Sequence, residues 1–154
     1  MDKKIFLALC ALVFLAASCN AQPTVISTYN DGKIILANRE IKIEVAKTPL
    51  EKSRGLSGRN EISEEEGMLF IFEQPSKPSF WMKDMLFDID IVWINGDTVV
   101  DIAKNATFEP NVADANLKLY SPREDADKVL ELKSGWVDKF GLKVGDKLII
   151  EINQ

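Results

Sequence analysis

Three aspartates crowd one stretch of the chain: Asp88 and Asp90 lie two residues apart in "FDIDIVWI", and Asp101 follows in "TVVDIA". Carboxyl groups held close together support two kinds of chemistry. One is a hydrolytic pair in which one acid is protonated and the other ionised. The other is a site for a hard divalent cation, which takes oxygen ligands. Just upstream, Trp81, Met82 and Lys83 set an aromatic ring, a thioether and an ammonium side by side after the turn-rich "EQPSKPS". An indole beside an ammonium can stack on a ring while it neutralises an acid, as sugar and anion sites do. A third group is Arg54 and Arg59 in "SRGLSGR", which could fork onto a phosphate or carboxylate through paired hydrogen bonds. Its glycines follow a helix, whereas phosphate loops precede one, so pairing with nearby acids is the simpler use for these arginines.

Composition removes much other chemistry. The 154 residues include no histidine, and the two cysteines, Cys10 and Cys19, both fall near the N-terminus. If Cys10 leaves with a signal and Cys19 carries lipid, no thiol remains. Disulfides, thiol nucleophiles, imidazole catalysis and Cys/His zinc sites then drop out. We assign no catalytic residue, no metal and no cofactor. A net charge of −5 argues against sequence-independent binding to nucleic acid, which needs clustered Lys and Arg.

The N-terminus supplies an address. Lys3 and Lys4 precede the apolar run Ile5 to Ala17, too short to span a membrane and right for a signal-peptide core. The run closes on Ala16-Ala17-Ser18-Cys19, which resembles a lipobox with Ala16 in place of the usual Leu. Residues 1–18 are therefore expected to be a lipoprotein signal peptide, with Cys19 lipidated and residues 19–32 a polar tether. Ordinary secretion with cleavage after Ala21 is the simpler alternative. The expected location is the bacterial envelope, anchored to a membrane through Cys19, with Asn20 favouring the outer membrane.

The remaining residues, 33–154, form one domain of a size that supports a good core. Ile34 to Leu36 and Ile41 to Val45 read as strands. Thr48, Pro49 and Glu51 start a helix with a capping box, and Gly55 and Gly58 stop it. "GMLFIF" fits a buried strand, "KVLELK" another, "GWVDKFG" one or two helical turns, and "VGDKLIIEI" a turn and a closing strand. Asn95-Gly96 marks a two-residue hairpin turn. On that register Phe87, Ile89, Ile91 and Trp93 share a core face with Val100 and Ile102. Asp88, Asp90 and Asp101 fall on the other face, Asp90 directly across from Asp101. Like charges so placed need a partner, and Arg54, Arg59 or Lys83 is expected to supply it. The fold class is mainly β: a single compact β-sandwich or barrel-like domain with one or two short helices.

The segments "RGLSGR", "GMLFIF", "FWMKDMLFDIDIVWI" and "VLELKSGWVDKFGLKVGDKL" resemble, in order, the bacterial and archaeal family called domain of unknown function 192. The chain departs from that family's usual pattern at Ser57, at Asp84-Met85 and at Asp88. The resemblance implies a compact, mainly β domain, often secreted or membrane-anchored, and carries no activity. The functional expectation is a non-enzymatic envelope module, binding a small anionic or sugar-like ligand or a protein partner. Its candidate ligand-binding residues are Arg54, Arg59, Trp81, Met82, Lys83, Asp90 and Asp101. The alternatives are a carboxylate-dependent hydrolase using Asp90 and Asp101, and a purely structural envelope component.

Overall fold

The computed structural model describes residues 30–153. The expected signal peptide, Cys19 and the expected tether as far as residue 29 lie outside the described residues. Seven strands form one mixed sheet: β1 (Asn30–Leu36), β2 (Arg39–Ala46), β3 (Glu66–Ser76), β4 (Ile89–Asn95), β5 (Thr98–Ala106), β6 (Ala126–Lys133) and β7 (Ile149–Ile152). β1 thus begins inside the segment expected to be tether. The strands lie in the order β5-β4-β6-β3-β2-β1-β7, so β6 inserts between β3 and β4. Only the β2–β3 pairing is parallel, and its crossover carries the helix α1 (Pro49–Arg54).

The sheet curls until its two ends meet. Thr98 of β5 bridges Lys147 just ahead of β7, and Val99 exchanges backbone hydrogen bonds with Gly145 and Asp146. The inner face of this incomplete barrel buries Ile34, Leu36, Ile41, Ile43, Val92, Ile94, Leu130 and Leu132 among others. The helix α2 (Trp136–Phe140) contributes Trp136 and Val137 to the same cluster. A second cluster covers the outer face, where Met68, Phe70, Ile91, Trp93 and Val129 pack with Leu56, Met82 and Met85.

α1 forms as its residues dictate. The Thr48 hydroxyl accepts from the Glu51 N–H at 3.3 Å, and the Glu51 carboxylate accepts from the Thr48 N–H at 2.8 Å. Each satisfies a backbone donor that the helix itself leaves orphaned. The helix ends at Gly55, whose φ of 49° suits glycine and brings the chain against the Phe70 ring.

The hairpin is shifted by one residue from expectation. Asn95 pairs with Thr98, so Gly96 and Asp97 form the turn. Gly96, at φ 61°, takes the first central position, which demands a positive φ in a type II′ turn. A register shift follows, because Ile94 pairs with Val99 but Trp93 pairs with Asp101. That bulge separates Val100, which packs on the outer cluster, from Ile102, which packs on the inner one.

Candidate functional site

Asp90 and Asp101 are not neighbours. Asp90 pairs with Leu132 of β6, an inner-face residue, whereas Asp101 pairs with Trp93, an outer-face residue. Each is answered locally. Asp90 is fully buried, and its two oxygens accept the N–H groups of Asn105 and Val137, both at 2.8 Å. The second of those is an orphan donor in the first turn of α2, so Asp90 caps a helix remote in sequence. Asp101 accepts from the Arg123 backbone N–H at 2.7 Å and its guanidinium at 2.7 and 3.1 Å. That guanidinium holds the Asp101 carboxyl below its ordinary value. Asp88 accepts from the Phe108 N–H at 2.9 Å. Of the expected cations, Arg59 grips Glu44 through two hydrogen bonds of 2.6 and 2.7 Å, Lys83 pairs with Asp114, and Arg54 lies on the wall of the outer-face pocket, away from both aspartates. Among the described residues, no three acidic or thiol side chains converge as a metal would require.

What the fold does assemble is a pocket of about 400 Å³ on the outer face. α1 and its following turn form one wall with Lys52, Arg54 and Ser57, and the loop before β4 forms the other with Phe80, Trp81 and Lys83. The walls are stitched together, since Ser57 Oγ donates to the Lys83 carbonyl and the Gly58 N–H donates to that of Asp84, both at 2.9 Å. Asp84 holds a φ of 55°, the left-handed bend that turns this loop back over the sheet. Phe80 meets Phe70 edge to face at 4.9 Å. The Lys52 ammonium lies 4.4 Å from the Phe72 ring centre and that of Lys83 lies 5.8 Å from Trp81, so cations rim an aromatic cup.

The pocket therefore gathers Arg54, Trp81 and Lys83. Trp81 keeps 48% of its surface exposed, whereas Met82 beside it is buried in the outer cluster and is a packing residue. Arg59 lines a different depression, with Glu44, Glu61 and Glu66.

One residue the sequence did not single out lies at the floor. Glu131 of β6 pairs across to Met68 on one side and Ile91 on the other, both outer-face core residues. Strand alternation puts its carboxyl on their face, beneath the pocket it helps to line. It is 6% exposed, and its Oε2 is buried with no hydrogen-bond partner. Loss of solvent pushes this carboxyl up to about 8, against a weaker opposing pull from Arg59. Near neutral pH, Glu131 is an uncharged acid and a hydrogen-bond donor. Among the residues lining the pocket it is the one acid, against three cations.

The chain belongs to the family of domain of unknown function 192, described as "Uncharacterized ACR", whose model matches residues 33–150. Two solved structures are similar to it. A provisionally described transcription regulator from Sinorhizobium meliloti 1021 is 27% identical with a TM-score of 0.70, over 79% of this chain and 95% of that one. A protein of unknown function from Novosphingobium aromaticivorans DSM 12444 is 27% identical with a TM-score of 0.72, over 81% of this chain and 89% of that one. No curated protein matches.

Proposed function

We propose that this family member is an exported, lipid-anchored binding module that takes a small anionic ligand, an anionic sugar or a peptide carboxylate, in the outer-face pocket. The observation that carries this reading is the pairing of an aromatic cup with Lys52, Arg54 and Lys83 over a floor acid that is uncharged near neutral pH. Such a site has net positive charge and apolar walls, and Arg54 offers the planar fork that suits carboxylates. The hydrolase reading needs two carboxyl groups facing one substrate. Asp90 and Asp101 point to opposite faces, and the pocket lining holds a single acid. The regulator description of one structural neighbour fits this chain poorly, because 24 acidic residues outnumber 19 basic ones.

Trp81 gives the test its signal, because Trp93 and Trp136 are buried and Trp81 is half-exposed. Titrating uronic acids and N-acetyl dipeptides should change its fluorescence saturably, and Lys83→Met should remove that response while leaving the melting temperature in place. A melting temperature that falls in Lys83→Met, in a protein that binds none of these anions, would reduce Lys83 to its ion pair with Asp114. The address is tested separately: Cys19→Ser should release the protein from membranes. Retention in the membrane fraction, or a mature chain cleaved after Ala21, overturns the lipid anchor.

A further inference from the structure

Glu131 is a buried polar group that the fold itself does not need. Its Oε2 is buried without a hydrogen-bond partner, and it stands between Met68 and Ile91 where an apolar side chain would pack. An unsatisfied group of this kind is destabilising unless something outside the protein completes it. Among the described residues its open side is the pocket, with the sheet beneath and the outer cluster around it. The charged groups in that direction are Lys52 and Arg54 from α1 and Lys83 from the opposite wall, with Arg59 beyond the turn after α1. None donates a hydrogen bond to Glu131 Oε2, and the flanking β3 and β4 place Met68 and Ile91 beside it.

We propose that Glu131 reads the inner end of the ligand: its carboxylic acid donates to a neutral acceptor oxygen, a carbonyl or hydroxyl, while the ligand's anionic group stays at the cationic rim. The inference rests on the anion-binding reading above and sharpens it to a ligand class. That class has a flat or apolar body with a charged acid at one end and an uncharged oxygen at the other. The converse orientation, a ligand ammonium driven down onto an ionised Glu131, has to pass three cations at the mouth and is disfavoured by their repulsion. The proton on Glu131 is then part of the recognition, and binding should weaken as the carboxyl ionises near pH 8.

Three para-substituted benzoates separate the possibilities: 4-acetylbenzoate, 4-isopropylbenzoate of the same shape without the oxygen, and 4-(aminomethyl)benzoate. At pH 6 the acetyl compound should bind about tenfold tighter than the isopropyl one, the worth of one hydrogen bond in a dry site. That preference should vanish above pH 9. Glu131→Gln keeps a donor and loses the proton, so it should retain the acetyl preference and lose its pH dependence. Glu131→Leu, which packs with Met68 and Ile91, should bind the isopropyl compound and lose the preference. Equal binding of the acetyl and isopropyl compounds to the wild type at pH 6, or tightest binding of the ammonium compound, overturns the role of Glu131 and leaves the anion site standing. Failure of all three carboxylates to bind overturns both.

Discussion

Asp90 and Glu131 occupy adjacent strands near the middle of one sheet, on opposite faces, and both are buried. They differ in what surrounds them. Two backbone N–H groups meet the oxygens of Asp90, one of them from the first turn of α2. Glu131 meets apolar side chains, and its Oε2 has no partner. Burial is common to both; whether their oxygens are satisfied is what separates them. The inner face has used its polar group to hold a helix, and the outer face has left one available at the floor of a pocket.

Breaking the structural member should cost most. Asp90→Ala strands the buried N–H of Val137 and the half-buried N–H of Asn105, and is expected to destabilise by about 3–5 kcal/mol, measured by denaturant unfolding. A loss near zero would put Asp90 in the same class as Glu131 and dissolve the contrast.

The unsatisfied member should behave in the opposite sense. Its carboxyl is raised in the folded state from 4.5 to about 8, so the unfolded chain releases this proton first as pH rises. Folding stability is then undiminished below about pH 4.5 and falls as pH climbs to about 8, by roughly 4 kcal/mol. Glu131→Gln should flatten that slope and leave the protein more stable than wild type at pH 8. A wild type with no such slope would show that solvent or a partner already reaches the carboxyl.

Asp101 supplies a third, milder case, a buried acid whose partner Arg123 is 78% exposed in its side chain. Its carboxyl is depressed by that guanidinium. The stability it adds is present above the unfolded value near 4 and is lost as pH falls through the lower folded value. Solvent screens the pair, so Asp101→Asn should cost under about 1 kcal/mol at pH 7 and less as the carboxyl protonates in acid. A large loss that persists at pH 2 would mean that the backbone bonds to Ile102 and Arg123, rather than the charge, make the contribution.

The sequence was most legible where short-range chemistry decides the outcome. The capping box at Thr48 and Glu51 needs only four consecutive residues, and so does the presence of a hairpin at Asn95-Gly96. The exact register was not legible, because Gly96 serves equally as the second central residue of one turn type or the first of another. The alternation of Phe87, Ile89, Ile91 and Trp93 correctly gathered these residues on one face. What misled was the other face, read as an acidic face whose charges needed partner cations. Here the sheet curls around its own inner face and its outer face is covered by α1 and the loop before β4, so Asp90 is buried. Glu131 went unmarked, because in "KVLELK" it looks like any outward-facing polar residue of a strand. Trp81 and Lys83 were singled out because they precede the alternation and sit beside a turn-rich stretch, and the fold places both on the wall of the pocket.

The insertion of β6 between β3 and β4 has a consequence for how the chain is made. A ribosome delivers β3, β4 and β5 well before β6, and until Lys133 has emerged β3 and β4 each present an unpaired edge. Open edges invite pairing with other chains, and joining strands distant in sequence is slow. A nascent chain halted before Ala126 is therefore an aggregation-prone fragment rather than a smaller stable domain. The strand that closes that interval is also the one that brings Glu131, so the sheet becomes safe and the pocket acquires its floor in the same step.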